Sequence, residues 1–189
     1  MPRPPILPVI DWATIFALSP GFEDWLAAAE DGNQRSAINE ALANQELEPQ
    51  EIATVQHLAR VVRVIAFAED WCGDVVRHVP VLQALADQSG MLYVRYVTRA
   101  QQPDAFARFL TNGGEAVPKF VFLSDNYVEC GHWGPMPDDC RRVIARGKAC
   151  GDVPAARRRV AAMYAADPGK RTVVRELLEL IETAAAVTP

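Results

Sequence analysis

Apolar residues along the first third of the chain recur at helical spacing. Trp12, Ile15, Phe16 and Leu18 form one cluster, and Phe22, Trp25 and Leu26 form another after the Ser19-Pro20-Gly21 break. Ile38 and Leu42 follow, with Ala37 and Ala41 at helical offsets, and Pro49 opens a segment running to about Leu58, as suits a first turn. Residues 10–59 therefore read as helical, packing on a sheet and supplying no chemistry, with His57 a structural or solvated helix residue. The pattern changes at Val61. Val61 to Ala68 is β-branched and continuously apolar after Arg63, the signature of a central strand. Val75 to Ser89 reads as a helix with Val79, Leu82 and Leu85 on its buried side, and Met91 to Thr98 as a second, parallel strand. Pro103 to Leu110 is helical and stops at Asn112-Gly113-Gly114. Phe120-Val121-Phe122-Leu123, the turn Ser124-Asp125-Asn126 and a short strand from Tyr127 to Cys130 read as a hairpin. Beyond it Asp152 is the expected N-cap of a helix with Pro154 in its first turn. Asp167-Pro168-Gly169 breaks the chain before a last helix whose apolar face (Val173, Val174, Leu177, Leu178, Leu180, Ile181) suits the core or a second copy of the protein. Alternating strand and helix signals before a hairpin predict an α/β fold, a mixed sheet flanked by helices.

Composition adds bounds. The 189 residues are 50% apolar and 23% charged, ordinary for one domain with a real core, and no repeat or long linker divides residues 1–189. The net charge of −5 is uneven. Acidic residues dominate before Arg60, while Arg141, Arg142, Arg146, Lys148, Arg157, Arg158, Arg159, Lys170, Arg171 and Arg175 tip the end of the chain toward positive charge. No aromatic interleaving accompanies these arginines, so nucleic acid is not the expected partner. They are expected to solvate helix faces or to pair with the acidic N-terminal part. No apolar stretch approaches the ~18 residues of a membrane span. The proline-rich start Met1-Pro2-Arg3-Pro4-Pro5 has no signal-peptide pattern. Four cysteines without a framework spacing argue against a secreted disulfide scaffold, so a cytoplasmic, reducing setting is expected.

The densest chemistry lies in Ile65-Ala66-Phe67-Ala68-Glu69-Asp70-Trp71-Cys72-Gly73-Asp74. A strand ends in an acidic pair, and Trp-Cys-Gly opens a helix. Unpaired N–H groups and the helix dipole favour a thiolate at Cys72, while the carboxylates of Glu69, Asp70 and Asp74 oppose it. Asp74 also suits a first helical turn on structural grounds alone. Position 75, three residues after Cys72, is Val75 rather than a second cysteine. Cys130, Cys140 and Cys150 lack the short spacing that sets two sulfurs at one helix start, and read as small buried hydrophobes. Cys130-Gly131-His132 offers two soft ligands where a metal site needs more, and His78 and Cys72 fall on different helix faces, so no metal is expected.

This stretch resembles the thioredoxin superfamily, specifically its thioredoxin-like members with Trp-Cys-Gly-Asp at the active-site turn. Pro80 falls eight residues after Cys72, where the family's active-site helix carries a proline. Val117-Pro118 precedes an apolar strand, as the family's cis-proline does, and Gly134 falls at the glycine that closes the hairpin. The agreement covers roughly residues 60–145. It implies a thioredoxin-like core over about 60–147, with helical extensions over 10–59 and 152–187. The resemblance further implies a groove around Cys72 in which Trp71 is a partly exposed lid and Gly73 and Asp74 belong to the turn. Val117 and Pro118 would present backbone to an extended peptide or a small thiol, and His132 and Trp133 would flank the groove, with His132 a loop histidine able to exchange a proton near Cys72. Two departures matter. Val75 replaces the resolving cysteine, and Ala66 stands where the family keeps a buried acid. Without a second sulfur, release of a mixed disulfide needs an outside thiol. The implied function is single-cysteine thiol-disulfide exchange through Cys72, with a protein disulfide or a low-molecular-weight thiol as partner. The alternative is a redox-inactive peptide-binding module. No cofactor is expected; single-cysteine glutaredoxins, which hold iron–sulfur clusters with glutathione, differ after Cys-Gly and stay a minor alternative.

Overall fold

The computed structural model describes residues 9–29 and 31–187; the Met1–Pro5 segment lies outside them. The first third folds into the short helices α1 (Trp12–Leu18), α2 (Phe22–Ala27), α3 (Gly32–Ala43) and α4 (Pro49–Gln56). Local sequence explains their starts. Asp11 caps α1 by accepting the Thr14 N–H, and Asp31 caps α3 through Asn33. Glu48 and Glu51 close a reciprocal box around Pro49 at the start of α4. Leu18 departs from the apolar cluster expected of it and is 79% exposed, because α1 ends there and its buried stripe is Trp12, Ile15 and Phe16.

The sheet, four-stranded among the described residues, runs in the order β2 (Leu92–Val97), β1 (Val62–Phe67), β3 (Lys119–Leu123), β4 (Glu129–Trp133). β1 pairs parallel with β2 and antiparallel with β3, and β3 pairs antiparallel with β4. Val62, Val64, Ile65, Ala66 and Phe67 are fully buried, which explains the continuous apolar run of a strand covered on both faces. Arg63 keeps its charge at the strand's outer end, with its guanidinium over the Tyr127 ring at 4.5 Å. The outer edge of β2 is partly closed by the break between α1 and α2, where the Pro20 carbonyl accepts the Tyr96 N–H at 3.0 Å.

One face of the sheet is covered by α5 (Gly73–Asp87) and α9 (Arg171–Ala186). The other receives α6 (Pro103–Phe106) and the 3-10 turn Ala107–Phe109, whose Phe106 and Phe109 pack on Phe67, with Trp12 of α1 behind Phe109. α7 (Asp138–Ala149) and α8 (Val153–Ala166) pack on each other outside β4. Asp152 caps α8 through the Ala155 N–H, with Pro154 in the first turn as its sequence predicts.

The hairpin differs from its expected boundaries. Its second strand begins at Glu129, not Tyr127, and runs to Trp133, not Cys130. Ser124 is the reason. Its hydroxyl accepts the N–H groups of Asn126 and Val128, its own N–H donates to the Val128 carbonyl, and Tyr127 is driven to a φ of +60°. His132 and Trp133 therefore lie within β4 rather than on a loop. Cys150, read as a buried hydrophobe, is exposed at the end of α7, whereas Cys140 is buried.

The last helix lies against this chain's own core. Val173, Val174, Leu177 and Ile181 are buried there. Its start is tied to the acidic N-terminal part: Arg171 meets Glu51 at 2.6 Å, and Lys170 reaches the Gln45 side chain at 2.8 Å. Leu177→Ala should therefore lower unfolding stability by about 2–5 kcal/mol in a urea titration. A loss under about 1 kcal/mol would show that α9 contributes little to the core.

Candidate functional site

β1 runs from the buried centre of the sheet to Ala68, and the chain turns through Glu69, Asp70 and Trp71 before α5 begins. Cys72 is the N-cap residue of α5, with extended backbone, and its carbonyl accepts the Val75 and Val76 N–H groups. Its thiol is half-buried and donates to the Val117 carbonyl with the sulfur 3.5 Å from the oxygen. Val117-Pro118 is a cis peptide bond. The turn before β3 thus meets the start of α5, and Cys72, Val117 and Pro118 form one constellation.

Gly134 completes it from the third side. Its φ is +110°, and a Cβ built there would lie 2.1 Å from the Pro118 carbonyl oxygen. Only a residue without a side chain fits this approach.

Trp71 is 60% exposed beside Cys72, with the Arg99 guanidinium over its ring at 5.7 Å. Arg99 is itself held by Glu69 at 3.2 Å and Glu115 at 3.2 Å. Trp71 borders a depression of about 370 Å³ whose far wall includes Pro20, Trp25, Ala28 and Ala29. The N-terminal helices, expected only to pack, therefore shape the surface next to the thiol.

Asp74 enters a different set of contacts. Its Oδ1 accepts the Tyr164 hydroxyl at 3.1 Å, and the same hydroxyl lies 3.2 Å from His78 Nε2. Since the one phenolic proton points to Asp74, Nε2 carries the imidazole proton and donates to Tyr164. Nδ1 is then a bare acceptor, and it is buried without a partner. Burial holds His78 neutral, lowering its pKa to about 3, with the charges of Arg77 and Lys170 adding to the effect. Burial raises the Asp74 pKa against the opposing Tyr164 hydrogen bond and Arg77 charge. Arg77 clamps α8 by donating to the Tyr164 carbonyl at 3.1 Å, its guanidinium 4.2 Å from the centre of that ring. His78 follows Asp74 by four residues and shares its helix face, a relation visible in the sequence. Tyr164 and Arg99 carried no such signal.

His132 and Trp133 are not brought to Cys72 as groove walls. Strand alternation sends them to opposite faces of β4. Trp133 is 2% exposed, stacks on Phe120 at 5.3 Å and donates its indole N–H to Glu176 at 2.6 Å, so it is a core residue. His132 is exposed on the other face, edge-on to Phe109 at 5.1 Å. Val75 and Ala66 are both fully buried and apolar. Among the described residues no group of three or more metal-ligating side chains comes together, and no helix is long and apolar enough to cross a membrane.

A family model described as Thioredoxin matches residues 19–152 of the chain. The 1.5 Å crystal structure of a protein of unknown function from Pseudomonas aeruginosa superposes with a TM-score of 0.69 at 14% identity, covering 92% of this chain and 98% of that one. The crystal structure of an HIV epitope-scaffold superposes with a TM-score of 0.67, also at 14% identity, with 92% and 98% covered. At this identity the likeness concerns the fold. No curated protein matches the chain.

The buried His78 makes stability depend on pH. Between pH 6.5 and about 3 the unfolded chain binds a proton at this position that the folded chain refuses, so stability falls as pH drops through that window. The slope from this residue is at most about 1.4 kcal/mol per pH unit. Asp74 acts oppositely. Its contribution is present below pH 3.8 and is lost as pH rises through its raised folded value. His78→Asn should therefore flatten the acid limb of stability measured by urea titration from pH 7 to pH 4. An identical limb in the variant would rule out His78 as its source.

Proposed function

The chain belongs to the thioredoxin family, and from that premise we propose that it carries out single-cysteine thiol-disulfide exchange through Cys72. The observation that carries this reading is the half-buried sulfur at the start of α5, 3.5 Å from the Val117 carbonyl beside Pro118. In the first step the Cys72 thiolate attacks one sulfur of a partner disulfide. One S–S bond forms to Cys72 as the partner's S–S bond breaks, and the departing thiolate takes up a proton from solvent. In the second step an outside thiol attacks the mixed disulfide, restoring Cys72 and leaving the partner joined to that thiol. Val75 offers no sulfur for an internal second step, so the cycle belongs in a reducing, cytoplasmic setting where small thiols abound. Trp71, Gly73 and Asp74 border the thiol on one side and Val117 and Pro118 on the other. An extended partner lies along the Val117 backbone. Residues 1–189 act as one unit in this reading, since the N-terminal helices wall the Trp71 depression.

A second reading, a peptide-binding module without turnover, is favoured by the burial of apolar Val75 and Ala66, where the family's redox chemistry uses a thiol and an acid. Hydroxyethyl disulfide separates the two. Treatment of the native protein should give a mixed disulfide that peptide mapping locates at Cys72, that dithiothreitol removes, and that Cys72→Ser abolishes. Modification confined to the exposed Cys150 would sink the exchange reading and leave the binding module.

A further inference from the structure

The face of the sheet away from α5 carries chemistry that Cys72 does not use. Lys119 follows Pro118 at the head of β3 and is only 2% exposed. Burial of an ammonium is costly unless an anion compensates it. Its hydrogen-bond partner among the described residues is a neutral group, the Gly134 carbonyl, at 2.6 Å. Arg141 of α7 converges on the same oxygen at 3.4 Å. Two cations thus crowd one carbonyl, and among the described residues the ammonium meets no second acceptor.

The surroundings add positive charge. Lys119, Arg141, Arg142 and His132 line one open depression of about 300 Å³. Asp138 is the carboxylate in that lining, and it already binds Arg141 at 2.9 Å and Arg142 at 3.0 Å. Asp139, just outside the lining, meets Arg142 at 2.5 Å, so with His132 neutral three cations face two carboxylates. The field registers on its members. Burial first, then the Arg141 charge, lowers the Lys119 pKa to about 8. Burial, then Lys119 and Arg141, holds the His132 pKa down. Two further buried donors lack partners, the Arg141 Nε–H and the Thr111 hydroxyl, and both residues line the depression.

We propose that this depression binds a small oxyanion, the carboxylate or phosphate group of a low-molecular-weight ligand, between Lys119 and the Arg141–Arg142 pair. A planar guanidinium accommodates two oxygens of such a group, and the ammonium supplies a point charge beneath it. The site is independent of thiol exchange and survives or fails separately from it.

Inorganic phosphate and succinate, each titrated into the full chain at constant ionic strength set with chloride, test the proposal by amide NMR shifts. Saturable shifts centred on Lys119, His132 and Arg142 are expected with at least one of the two. Tighter binding of phosphate assigns a phosphate-bearing ligand, and tighter binding of succinate a carboxylate. Lys119→Met and Arg142→Ala should each weaken the apparent Kd at least tenfold. Arg142 is more than half exposed, so its variant carries the test if Lys119→Met does not fold. Succinate affinity should also fall between pH 7 and 9 as Lys119 loses its proton. The charged and titratable groups facing it are Arg141, Arg142, Asp138, Asp139 and His132, and burial with the Lys119 and Arg141 charges holds the His132 pKa down. Shifts that chloride reproduces, or affinities unchanged in both variants, would overturn the proposal.

Discussion

The Cys72 end of the sheet depends on how closely Gly134 lies on Pro118. The end of β4 passes the Pro118 carbonyl at a distance that excludes any side chain. That approach fixes the turn before β3 from one side, while the start of α5 fixes it from the other through the Cys72 thiol and the Val117 carbonyl. The Gly134 carbonyl then faces the Lys119 ammonium. One crossing of backbones therefore sets both the contact of the sulfur and the burial of a cation two residues from it. A Cβ at this crossing would push β4 away from the turn, and both arrangements would open together.

Polar groups buried on either side of the sheet follow a common rule. A buried polar atom costs free energy unless it finds a partner, and a partly satisfied network carries that cost. The Trp133 indole finds Glu176, whose second oxygen accepts the Asp138 N–H at 3.1 Å, so β4, α7 and α9 are joined by a satisfied pair. The Asp74–Tyr164–His78 chain is satisfied except at one imidazole nitrogen. Lys119 lies at the far end of this scale, with a charge facing a neutral oxygen. The satisfied pair at Trp133 and Glu176 positions helices, and the neutral buried imidazole of His78 makes stability depend on pH.

Much of the architecture was legible in the chain because it rests on local pattern. The run of apolar residues in β1, the helix after Cys72, the Asp152 cap and the apolar stripe of α9 depend on neighbours within a few residues. The hairpin was legible in kind but not in boundary. The Ser124 hydroxyl takes two backbone N–H groups and lengthens the turn, and every residue after it shifts accordingly. That shift moved His132 and Trp133 from a loop into a strand, where alternation buried the indole against Phe120 and His78. The Tyr164 hydrogen bond spans 90 residues to reach Asp74, and nothing near Tyr164 announces it. Arg99 over Trp71 and the burial of Lys119 belong to the same class: they are set by packing between distant elements.

The two departures from the family pattern explain each other. In a dithiol site a buried acid helps move the proton of the second thiol. By the resemblance the position of that thiol falls on Val75 and the position of that acid on Ala66, both fully buried. An acid at 66 without a thiol to serve would be an uncompensated charge in an apolar core, a cost of several kcal/mol. Cys72 differs from both. It lies at the rim, half-buried, with its contact to a backbone carbonyl. Under the proposed exchange reading, the second step therefore depends on the concentration of outside thiol rather than on a second sulfur held in place.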